Sequence, residues 1–135
     1  MPLKKAMALP FSIRCRRVYD PVRANDGLRV LVDRLWPRGL RKADAGVDWW
    51  FREIAPSTEL RRWFGHAPER WEEFCRRYRM ELDGRTVAVE ELLARTHEAG
   101  ATTLLYAARD TEHNHAMTLK AYLEARLGKT IRDQA

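Results

Sequence analysis

Two short apolar runs constrain this chain most. Leu28 to Leu35 (LRVLVDRL) and Thr102 to Ala107 (TTLLYA) are rich in Val, Leu and other strand formers. Brief, nearly continuous apolar runs suit strands buried on both faces of a parallel sheet. Ser12 to Val18 (SIRCRRV) alternates apolar and polar residues. It predicts a further strand with Ile13, Cys15 and Val18 near the core. Asp20-Pro21 ends that strand, and Asn25-Asp26-Gly27 is a turn signal.

Helical patterns fill the long interval before the last strand. Asp48 to Ile54 predicts one short helix. Ser57 is placed to cap a helix over Thr58 to Phe64, which Gly65 ends. Pro68 opens a third helix, where Trp71, Phe74, Tyr78 and Leu82 recur at helical spacing as one apolar stripe. Asp83-Gly84 stops it. Thr86 caps a fourth helix with Val89, Leu92, Leu93 and Thr96 on one side, closed by Gly100. A last helix from about Glu112 to Leu127 turns Ala116, Leu119, Leu123 and Leu127 inward. Strands separated by helices predict an α/β domain: a small, mainly parallel sheet flanked by helices. A chain of 135 residues suits a single domain, expected over residues 12–128 with flexible tails at 1–11 and 129–135.

Composition narrows the class. Apolar residues are 45% of the chain, which excludes general disorder, and two cysteines are too few for a disulfide scaffold. No stretch approaches a membrane span, and the first eleven residues lack a signal-type cleavage site. A cytoplasmic protein with no membrane partner is expected. The net charge is +6, and 20 of the 25 basic residues are arginine. Arginine forks match phosphate and carboxylate, so an anionic partner is favoured. A GC-rich genome produces the same bias, so each arginine has to be argued from its position.

Ligands of open α/β sheets sit beyond the carboxyl ends of the strands. Two segments there carry chemistry. Asp33-Arg34-Leu35-Trp36-Pro37-Arg38-Gly39 joins a carboxylate, two arginines and an aromatic. Asp33 and Arg34 should face opposite ways. Arg38 beside Gly39 makes an anion clamp, since glycine permits close backbone approach. A structural Asp–Arg pair accounts for the same residues. Arg109-Asp110-Thr111-Glu112-His113-Asn114-His115 opens the last helix, whose N-terminus favours anions. His113 or His115 could act as acid or base. Capping by Asp110 or Thr111 is the plainer account. His113, His115, His66, Asp110 and Asp33 also suit a metal, but residues i and i+2 of a helix diverge and no zinc-type spacing occurs. No Walker loop, dinucleotide fingerprint or nucleophile elbow is present. Residues 61–79 hold six arginines with Trp63, Trp71 and Tyr78, a pattern that could bind nucleic acid or protein. Glu69, Glu72 and Glu73 lie among them at pairing distance.

Three segments together carry a resemblance. They are Asp33 to Gly39; Ala55-Pro56-Ser57-Thr58-Glu59-Leu60 with Trp63-Phe64-Gly65-His66; and Leu104 to Asp110 with His113-Asn114-His115. In order and spacing they resemble the YeaO-like branch of domain-of-unknown-function family 488, from about Ile13 to Leu127. The resemblance implies a small bacterial or archaeal α/β domain and no particular activity. It matches His115 to the family's histidine. The family's acidic helix cap is replaced here by Ala67. Its cysteine- and glutamate-containing segment is replaced by Tyr106 to Asp110, so thiol chemistry is not carried over.

Taken together these features predict an anion-binding domain, with an enzyme acting on a phosphate-bearing small molecule or nucleotide as one form of it. Arg34, Arg38, Arg109 and Asn114 would hold the anion. His115 would be the acid–base group and Asp33 its orienting carboxylate. Trp36, His66 and His113 are further candidates. No cofactor or metal set is named. The alternatives are a nucleic-acid or protein-binding module built on residues 61–79 and a metal-dependent hydrolase.

Overall fold

A computed structural model describes residues 11–134. Four parallel strands form one sheet: β1 (Ser12–Arg17), β2 (Leu28–Leu31), β3 (Trp49–Trp50) and β4 (Ala101–Tyr106). Their spatial order is β1-β4-β2-β3, so the last strand in sequence lies between the first two. Among the described residues five α-helices accompany them: α1 (Lys42–Ala45), α2 (Thr58–Phe64), α3 (Trp71–Asp83), α4 (Thr86–Ala99) and α5 (His115–Gln134). The domain is α/β, as the alternation of patterns predicts.

One sheet face carries most of the core. Ile13, Val30, Val32, Leu104 and Tyr106 pack against Phe74, Tyr78 and Leu82 of α3, Val89 and Leu92 of α4, and Ala116, Leu119 and Leu123 of α5. The opposite face is covered more thinly. Val18, Leu31 and Leu105 meet Trp36, Leu40 and Val47 from the loop that contains α1 and Trp50 from β3. Val18 is therefore buried, but across the sheet from Ile13 and Cys15. Beneath this second layer the guanidinium of Arg29, 3% exposed, joins Asp26 at 2.5 Å and the carbonyls of Gly46 and Ala45. A buried arginine needs this many acceptors to offset its lost hydration.

Several boundaries differ from the sequence reading. β2 ends at Leu31, not Leu35. The expected helix over 48–54 is instead β3 followed by a 3₁₀ turn, Arg52–Ile54. The N–H groups of Asp48 and Phe51 bond the carbonyls of Arg29 and Leu31, so pairing with β2 overrides local preference. Helix α5 begins at His115, three residues later than expected. Asp110 Oδ1 accepts from the N–H groups of Glu112 and His113 in a turn, and Asn114 Oδ1 then caps the helix at Met117 N–H. Asn114 is thus the cap, not Asp110 or Thr111. Thr86 is the first residue of α4, not its cap. Ser57 does cap α2, accepting from Leu60 N–H at 3.1 Å. The first ten residues of the expected N-terminal tail lie outside the described residues. Phe11 is buried in the core.

Candidate functional site

A cavity of about 370 Å³ opens beyond the carboxyl ends of β2 and β4. Its wall contains Asp33, Arg34, Trp36, Arg38, His66, His113, Asn114 and His115, eight of the nine residues singled out in the sequence. The ninth, Arg109, lines an adjoining cavity of about 460 Å³. The segments after β2 and β4 meet there because those strands are neighbours. Phe64, Phe74, Pro56, Ala107 and Ala108 supply apolar wall.

Asp33 and Arg34 diverge, as alternation predicts. Asp33 turns inward: its Oδ2 accepts from Ala107 N–H at 3.0 Å, and its Oδ1 lies 2.8 Å from His115 Nε2. His115 Nε2 also lies 3.0 Å from the Val32 carbonyl. Both neighbours are acceptors, so Nε2 carries the proton. That proton is directed at Val32. The contact with Asp33 Oδ1 is one of proximity, and the oxygen has no aligned donor among the described residues. His115 is thereby held through Nε2, and its Nδ1 has no hydrogen-bond partner among the described residues. Arg34 does not point to an anion. Its Nε and Nη2 donate to the carbonyls of Pro56 and Ala55 at 3.1 and 3.2 Å. It pins the segment Ala55-Pro56, which forms part of the wall.

That segment is braced from its other side. Glu81 of α3 accepts from Ser57 N–H at 2.8 Å and from Ser57 Oγ at 2.5 Å. Arg85 joins Glu81 to the carbonyls of Ala55 and Glu53.

The remaining arginines at the site are different. Arg38, Arg61 and Arg109 are exposed, and none has a carboxylate partner among the described residues. Arg38 is anchored through its backbone, whose carbonyl accepts from Tyr19 Oη at 2.9 Å. Asn114, 2% exposed, spends its amide on Asp110 and Met117 rather than on the cavity. Trp36 donates to the Leu40 carbonyl and meets Trp50 edge-on. His113 packs on Trp71 and faces Asp110, whose carboxyl is lowered first by the N–H groups of His113 and Glu112. His66 holds φ of 56° directly after Gly65, in a region that costs most side chains energy.

Arg61 was not a cavity candidate in the sequence, where it belonged only to the arginine-rich segment. Its signal was local: it precedes Phe64 by one turn of α2, so the two share a face. Elsewhere in that segment Glu73 binds Arg76 and Arg77 at 2.7 and 2.8 Å, and Arg70 and Arg77 lie over the Trp63 ring. Among the described residues no group of three His, Cys, Asp or Glu could hold a metal ion. No helix there is long and apolar enough to cross a membrane.

Fold and site define a parallel α/β domain with an arginine-edged, largely apolar cavity at its strand ends. The chain belongs to the family described as the inactive DUF488-N3 subclade, whose model matches residues 12–135. The resemblance to the YeaO-like branch of family 488 is borne out. The chain is 43% identical over 114 residues to "Uncharacterized protein YeaO" of Escherichia coli strain K12, covering 84% of this chain and 98% of that one. It is equally similar to "Uncharacterized protein Rv3073c" of Mycobacterium tuberculosis H37Rv, covering 84% and 95%. No solved structure matches.

Proposed function

We propose that this chain is a binding domain for a small anionic ligand, and not a covalent catalyst. The observation that carries the reading is that Arg38 and Arg61 stand at a largely apolar cavity with no carboxylate partner among the described residues. A cavity of this size with a few charged groups is typical of a small-molecule site. An arginine left unpaired there retains its full capacity for phosphate or carboxylate. Arg109 extends the same positive edge.

Two features argue against covalent chemistry. Among the described residues the cavity wall carries no Ser, Thr, Cys or Lys. The family's own description is "inactive". Asp33 and His115 then act as a rigid floor support. The nucleic-acid reading of residues 61–79 is weakened by Glu73, whose single carboxylate engages both Arg76 and Arg77.

The test is a thermal melt with inorganic phosphate and adenosine 5′-monophosphate. Ligand at a hundred times its dissociation constant adds about 2.7 kcal/mol, raising Tm by on the order of 10 °C. Arg38→Ala together with Arg61→Ala should abolish the shift without lowering the unliganded Tm by more than about 2 °C, since exposed side chains contribute little. An unshifted wild-type melt with both anions refutes the reading.

A further inference from the structure

We infer that the ligand carries two anionic groups on either side of a flat ring, one taken by Arg38 and Arg61 and the other by Arg109. This rests on the anion-binding reading above. The two cavities share Phe64, His66, Ala107, Ala108 and His113, so they are two lobes of one groove. Unpaired arginines lie at both lobes, while the shared stretch between them carries no charged side chain apart from what its two histidines can acquire.

The shared stretch has a particular shape. Ala107 and Ala108 are too small to divide the lobes. Phe64, His66 and His113 present flat rings, and flat rings pack best against another flat ring. A lone phosphate would use one lobe and leave the other lobe's arginine unmet. The carboxylates nearby do not compete. Asp33 is turned to Ala107 N–H and His115. Asp110 is turned to the N–H groups of Glu112 and His113 and to the His113 ring.

The test is calorimetric titration with benzene-1,4-diyl bisphosphate, which places one phosphate on each side of a flat ring, with phenyl phosphate as the monophosphate, and with inorganic pyrophosphate. The bisphosphate should bind wild type about tenfold more tightly than the monophosphate, the effect of one added charge-assisted contact. Pyrophosphate, which lacks the ring, should bind no better than the monophosphate. Arg109→Ala should level the two aryl ligands and leave the monophosphate unchanged. Equal wild-type affinities, or a ratio that survives Arg109→Ala, would overturn the inference while the anion reading stands. Absence of binding by all three would overturn both.

Discussion

Ser57→Ala tests the bracing of the cavity wall. The Ser57 hydroxyl has two partners: it accepts from Leu60 N–H and donates to Glu81 Oε2. Loss of a helix cap costs about 1 kcal/mol. A hydrogen bond to a carboxylate is worth about 1.5–3 kcal/mol when buried, and the Glu81 side chain is 25% exposed, so about 1 kcal/mol is taken here. The sum, about 2 kcal/mol, corresponds to a fall in Tm of about 8 °C for a domain of this size. Ser57→Asp separates the two roles. Aspartate caps a helix as well as serine does, but here it would set a second carboxylate against Glu81. Ser57→Asp should therefore stay destabilised alone and recover in a Glu81→Gln background. Differential scanning calorimetry of the four variants measures this. A Ser57→Asp protein as stable as wild type, or a Ser57→Ala loss under about 0.5 kcal/mol, would refute the reasoning.

Further expectations concern the rest of the chain. Gly27→Ala should cost about 3 kcal/mol or more, because φ is 66° and a Cβ would lie 2.2 Å from the Ala101 carbonyl oxygen; a urea midpoint close to wild type would contradict this. Stability should fall as pH drops below about 4.5. Glu73 is held down to about 2 by its hydrogen bonds from Arg76 and Arg77, and Asp26 is held low by Arg23 and Arg29 despite burial. Both carboxyls bind protons more weakly in the folded chain than in the unfolded one. Their contribution is thus present above the unfolded pKa and lost toward acid, which urea titrations at neutral pH and at about pH 3 would reveal as a lower midpoint. Cys15 should resist iodoacetamide at mildly alkaline pH until the chain is unfolded, since burial raises its thiol to about 12. Mass spectrometry of native and urea-treated protein reads the difference.

The sequence was most legible where one residue's chemistry decides the local structure. Ser57 as a cap, Gly65 and Gly100 in left-handed closures, and the stripe Phe74, Tyr78 and Leu82 all stand where propensity and periodicity put them. It was least legible where distant pairing decides. Trp49-Trp50 becomes a strand only because β2 lies alongside, and no local pattern announces a two-residue edge. The same divide runs through the site. Asp33, Arg38 and His115 were accessible because strand ends converge in an α/β sheet. Arg34 looked like an anion ligand, but its partners are carbonyls supplied by Ala55 and Pro56, more than twenty positions away. Arg61 shares a helical face with Phe64, which spacing along the chain does encode, but that this face meets the cavity depends on the placement of the whole helix.

The position of β4 bears on how the chain is made. Both β1 and β2 pair along their length with β4, Ser12 opposite Ala101 and Leu28 opposite Thr102. At ribosomal speeds of about 5–20 residues per second, roughly 4–18 s separate synthesis of the first strand from synthesis of its partner. During that interval β1 has no neighbour, β2 has only the two-residue β3, and the part of the cavity wall from Ala107 to His115 is missing. Nascent chains arrested before Ala101 should therefore remain protease-sensitive, and the sheet should close in one late step as β4 leaves the exit tunnel. The cavity, whose floor is Ala107 and Ala108 just beyond that strand, is completed by the same event.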